Sequence, residues 1–82
     1  MEPKVQAVVE LINTVLEDSS IPKNIRAVLA NAKTRLMSSE ETTIKVSAAI
    51  YMIEPVSEDV NMPSYARTQV WSIMSALESI KH

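Results

Sequence analysis

Glu17-Asp18-Ser19-Ser20-Ile21-Pro22-Lys23-Asn24-Ile25-Arg26 is the stretch that decides how this chain folds, because it occurs twice. Glu58-Asp59-Val60-Asn61-Met62-Pro63-Ser64-Tyr65-Ala66-Arg67 follows at an offset of 41 residues. Both copies read Glu-Asp-x-x-(Ile/Met)-Pro-x-x-x-Arg. The match extends outward in both directions. Lys4, Val5, Ala7, Ile12, Val15, Leu36 and Ser38 fall on Lys45, Val46, Ala48, Ile53, Val56, Leu77 and Ser79. With the four identities inside the motif that makes 11 in 41 comparisons, where average residue usage gives roughly three. The chain is one structural unit used twice.

Hydrophobic spacing says what the unit is. Four series of apolar residues step by three or four and therefore keep to one side of a helix. They are Val5, Val8, Val9, Ile12, Val15 and Leu16; Ile21, Ile25, Val28, Leu29, Ala32 and Leu36; Val46, Ala49, Ile50, Ile53 and Val56; and Met62, Ala66, Val70, Ile73, Leu77 and Ile80. No stretch alternates for long enough to suggest a strand. The spacing predicts helices over 3–18, 21–37, 41–57 and 62–80. Pro3 belongs in the first turn of the first helix, where its missing N–H costs nothing. Ser20 and Asn61 are expected N-caps, each with a proline in the turn that follows, and Ser38 with Glu41 is an expected capping box. Pro55 lies inside the third helix and predicts a kink or an early stop.

The motif sits at the joint of each helical pair. An aspartate before the turn and an arginine after it, in a unit of about 40 residues, look like a HEAT-type repeat. Two units are too few for a solenoid, and they suffice for a closed bundle in which each hairpin buries the other's apolar face. The expected architecture is all-α: a single domain over 1–82, a four-helix up-and-down bundle of hairpin 1 (about 3–38) and hairpin 2 (about 41–80). Asp18 with Arg26, and Asp59 with Arg67, are expected to brace the joints, the carboxylate capping the turn and the guanidinium holding it. A ligand site made of the same pairs is the rival reading.

Composition removes whole classes of function. The chain has 82 residues and no glycine. Phosphate loops, the dinucleotide fingerprint and glycine hairpin turns all need the backbone freedom of that residue. There is no cysteine, hence no disulfide, thiol nucleophile or thiolate metal site. The apolar runs are far too short for a membrane span, and the N-terminal sequence lacks the pattern of a signal peptide. The net charge of −2 argues against a dedicated nucleic-acid binder.

The segments Leu16–Lys33 (LEDSSIPKNIRAVLANAK) and Ala48–Trp71 (AAIYMIEPVSEDVNMPSYARTQVW) resemble the archaeal uncharacterised protein family 0147. The most specific part is Asn61-Met62-Pro63 with Ala66-Arg67-Thr68-Gln69 and Trp71. The resemblance covers about Val5 to Ile80 and implies an archaeal cytoplasmic protein with a small helical fold. It implies no reaction and carries over no catalytic residue. Pro55 and Val60 look atypical for the family.

Chemistry has few candidates. The only histidine is His82, at the end of the sequence. Glu54 and Glu58 are four apart, a spacing that usually marks a solvated face rather than a metal site. No base is available to activate a serine or threonine. We expect no catalytic residue, no cofactor and no metal. Lys23, Lys33 and Arg35 on an acid-free second helix, beside Arg26, are the candidates for weak nucleic-acid binding, a reading that few phosphate contacts disfavour. The stronger signal is an asymmetry between the repeats. Glu10, Asn24, Ala30 and Lys33 in the first become Tyr51, Tyr65, Trp71 and Met74 in the second. All aromatics lie in hairpin 2. Tyr51, Met52, Tyr65, Arg67, Trp71 and Met74 are therefore candidates for a contact surface, with a second copy of the chain as the favoured partner and another protein next. The competing reading packs Trp71 and the tyrosines into the core.

Overall fold

The computed structural model describes residues 2–81. It contains four helices, α1 (Pro3–Leu16), α2 (Lys23–Leu36), α3 (Thr42–Ser57) and α4 (Ser64–Lys81). The pairs in extensive contact are α1/α2, α2/α3, α3/α4 and α1/α4. Each helix thus packs on its sequence neighbours and the last closes on the first: a four-helix up-and-down bundle. Both Glu-Asp turns lie at one end, and the α2–α3 connector lies at the other.

The core follows the repeat. Nineteen buried apolar residues form one cluster, and none of them is aromatic. Val5, Val9, Ile12, Ile21 and Leu36 are buried, and so are Val46, Ile50, Ile53, Met62 and Leu77 at the same positions of the second unit. Volume is redistributed where the units differ. Val8 and Ile25 give way to Ala49 and Ala66, while Ala32 gives way to Ile73, all buried. Val56, the counterpart of buried Val15, is only partly covered.

Helix starts differ from the spacing-based expectation, and the turn chemistry explains why. α2 begins at Lys23 and α4 at Ser64, two residues later than expected. Ser20 is not the cap of α2: its amide donates to Asp18 Oδ1 at 3.0 Å, and its hydroxyl donates to the same oxygen. Asn61 likewise donates its amide to Asp59 Oδ1, at 2.9 Å. A carboxylate two residues upstream is a strong acceptor and folds the segment into an Asx turn. Pro22 and Pro63 then take the cap position. Their carbonyls accept the amides of Arg26 and Arg67, each at 3.0 Å. Ile21 and Met62, one residue before the prolines, turn inward and are buried.

The capping box does not form. Glu41 occupies the cap of α3 without a side-chain bond, and Ser38 instead bonds Glu40 within the connector. Pro3 does occupy the first turn of α1, where Glu2 accepts the Val5 amide at 3.2 Å. α3 does not stop early at Pro55 but continues to Ser57. Pro55 lies in the last turn, where its missing N–H leaves only the carbonyl of solvent-facing Tyr51 without a helical donor.

The seams of the bundle are unequal. Along α1/α4 runs an open apolar groove of about 230 Å³, lined by Ala7, Leu11, Ala76 and Ile80 with Lys4 and Ser79. Under the repeat this seam corresponds to α2/α3. There Arg35 stands in place of Ala76, and the connector crosses the end.

Candidate functional site

Each joint is held by its arginine through backbone carbonyls rather than through the aspartate's carboxylate. Arg26 Nε donates to the Ile21 carbonyl at 3.1 Å. Arg67 Nη2 donates to the Asp59 carbonyl at 2.9 Å and the Met62 carbonyl at 3.4 Å. The carboxylates of Asp18 and Asp59 are occupied by the turn amides. The Ser20 hydroxyl and amide hold the Asp18 carboxyl below its ordinary value, with a smaller contribution from the Arg26 charge. Asp18 is exposed and Arg26 half-buried, with all their bonding inside the turn. The hydrogen bonds found for all four residues stay within the two turns.

The six candidates for a contact surface separate in the structure. Met52 and Met74 are half-buried and pack against the core, so they do not extend an outer surface. Tyr65 donates its hydroxyl to the Ser20 carbonyl at 2.8 Å, tying the start of α4 to the α1–α2 turn. Arg67 is committed to its joint. Tyr51 and Trp71 remain, 83% and 55% exposed. Trp71 is therefore not a core residue. Both lie well off the buried stripes of their helices, Val46/Ala49/Ile50/Ile53 and Ala66/Val70/Ile73/Leu77. α3 and α4 are antiparallel. Tyr51 is six residues before the end of α3 and Trp71 seven after the start of α4. At 1.5 Å per residue both stand about 10 Å from the shared turn. The second hairpin thus carries two large aromatics at one height on the outward sides of neighbouring helices.

The basic helix is less available than its composition suggests. Arg35 forms a two-pronged ion pair with Glu40, the one ion pair found among the described residues. The Arg35 hydrogen bond holds the Glu40 carboxyl below its ordinary value. With Arg26 bonded to Ile21, Lys23 and Lys33 are left, ten residues apart. Glu54 and Glu58 are exposed. Among the described residues no three metal-ligating side chains cluster. His82 lies outside the described residues. No helix of the described residues is long and apolar enough to cross a membrane.

Spacing alone did not reveal two contacts. Lys45 is the only charged residue buried among the described ones, and its Nζ donates to the Ser38 carbonyl at 3.1 Å. The Tyr65–Ser20 bond spans 45 residues, and no local pattern encodes it. Lys45 did leave a trace, as one of the identities of the repeat.

Comparison with known proteins gives a consistent result. The profile of the Uncharacterised protein family (UPF0147) matches residues 1–80. A UPF0147 protein of Aeropyrum pernix is 36% identical over 81 residues, covering 98% of this chain and 89% of its own length. One of Methanocaldococcus jannaschii is also 36% identical, covering 98% and 87%. Two crystal structures superpose closely. The unknown function protein MMP1188 has a TM-score of 0.88 at 39% identity, over 96% of this chain and 91% of that one. A protein from the uncharacterised family UPF0147 from Thermoplasma acidophilum has a TM-score of 0.89 at 26% identity, over 96% and 94%.

Proposed function

This chain belongs to the uncharacterised protein family UPF0147, and we propose that it is a small non-enzymatic interaction module that self-associates through the outward aromatic face of its second hairpin. The observation that carries this reading is the division of labour among the apolar residues. The core is closed by aliphatic side chains and methionine alone, so Tyr51 and Trp71 are not needed to fill it. Tryptophan and tyrosine are among the residues most enriched at the centres of protein interfaces. A cysteine-free sequence suits a reducing cytoplasm. Net acidity and the pairing of Arg35 weigh against nucleic acid as the partner.

The test is solution mass by light scattering over a wide concentration range, for wild type and Trp71→Ala. Wild type is expected to dimerise reversibly. Trp71→Ala is expected to weaken association by at least tenfold (about 1.4 kcal/mol or more) while keeping helical circular dichroism and unfolding midpoint near wild type. Trp71 is the only tryptophan, so its emission should shift to the blue as the dimer forms. A wild type that stays monomeric at the highest concentration sinks self-association. A Trp71→Ala variant that unfolds would return the tryptophan to a structural role.

A further inference from the structure

The bend between the hairpins is held by a small set of side-chain bonds rather than by its backbone. The connector is Met37-Ser38-Ser39-Glu40-Glu41. It contains no glycine or proline, and no described residue has positive φ. The other two turns each carry a proline; this one does not. From Lys23 to Glu54 the sequence holds no helix breaker at all. Three features keep the segment folded back. Arg35 grips Glu40 with two nitrogens. Ser38 bonds Glu40. Buried Lys45 holds the Ser38 carbonyl. Beside this clasp lie two exposed apolar residues, Met37 (53%) and Ile44 (49%). They are seven apart, which places them on one side of a helix if α2 runs straight into α3.

The two hairpins also present matching buried apolar positions at the offset of 41, with Val15 and half-covered Val56 the one exception. A hairpin 1 released from its own hairpin 2 would therefore find an equivalent surface on another copy. From these observations we infer that the chain can open at 37–41 and exchange hairpins with a second copy. In that dimer α2 and α3 form one continuous helix, and all core packing is kept with a partner hairpin. Only the connector bonds are lost. The gain is helix through the connector and contact of Met37 and Ile44 with their counterparts at the new two-fold axis. Exchange of identical elements is a low-cost route to a dimer for this reason.

This dimer differs in kind from the aromatic-face dimer, since its subunits cannot part without unfolding. The experiment refolds the protein from urea at high and low concentration, then reads mass before and after dilution. Wild type refolded at high concentration is expected to give a dimer that survives dilution and returns to monomer only after renewed unfolding. Arg35→Ala combined with Lys45→Met should raise the dimer share a few-fold, because exposed ion pairs and single hydrogen bonds contribute on that scale. Inserting Gly-Gly between Ser38 and Ser39 should lower it, since glycine eases the bend and breaks the joined helix. Trp71→Ala should leave the persistent dimer unchanged. Refolding that yields only monomer in wild type and in the unclasped variant overturns the inference. So does a dimer that separates on dilution or disappears with Trp71→Ala, an outcome that would support the aromatic face instead.

Discussion

Arg26 and Arg67 occupy one position of the repeat but hold different numbers of carbonyls, which makes their removal a graded experiment. Arg67→Met should cost about 1–3 kcal/mol of unfolding free energy, and Arg26→Met less, because the first removes two hydrogen bonds and the second one. Urea denaturation of both variants decides this, and equal losses would mean that the carbonyls are served by water. Acid acts at the same turn. The Asp18 carboxyl is held below its unfolded value by Ser20, so its contribution is complete above the ordinary carboxylate range. It fades as pH falls through the folded value. Glu40, held down by Arg35, has the same sign. Asp18→Asn should therefore remove part of the loss of stability between neutral pH and about pH 2, with the Glu40 part remaining, as read from urea midpoints at each pH. Spacing singled out these turn residues because Asp and Arg recur at eight residues. It did not single out the atoms. A carboxylate has a choice between a guanidinium and nearby amides, and Ser20 and Asn61 stand closer along the chain.

At the scale of the helix, existence was easier to read than limits. Period and repeat place all four helices, since an apolar stripe must meet a core. Their starts moved because proline without an N–H is tolerated both at the cap and just inside it, so Pro22 and Pro63 mark a boundary without fixing which side they take. Ser38 and Glu41 match a capping box in spacing, yet Glu40 competes for Ser38 and prevails. Pro55 does not end α3 early. Its cost depends on what stands four residues earlier, and Tyr51 faces water. Pro55→Ala should restore that bond and stabilise α3 by about 1–3 kcal/mol. Thermal or urea unfolding would show it, and a neutral outcome would mean the last turn is frayed already. The exposure of the aromatics was not legible. The asymmetry between the repeats singled out Tyr51 and Trp71 without placing them in or out of the core, whereas the reach of Tyr65 to Ser20 depends on how the hairpins meet.

Across the whole molecule the repeat makes a quantitative statement. Leu36 and Leu77 are the same position of the unit and both are fully buried. Leu36→Ala and Leu77→Ala should each cost about 2–5 kcal/mol, and by similar amounts if the two halves share one core. Calorimetry or urea unfolding of the pair would test this, and a large difference would mean that one hairpin carries most of the stability. The groove between α1 and α4 belongs at this scale as well, as the seam that lacks what its counterpart has. Lys45 holds a connector carbonyl, and Lys4, its equivalent, lies where no connector passes. The circular order of the hairpins is thus arbitrary to the fold. A rearranged chain, with α4 bridged to α1 by a copy of residues 37–41 and opened between Ser38 and Ser39, should fold to the same bundle with Lys4 clasping the new bridge.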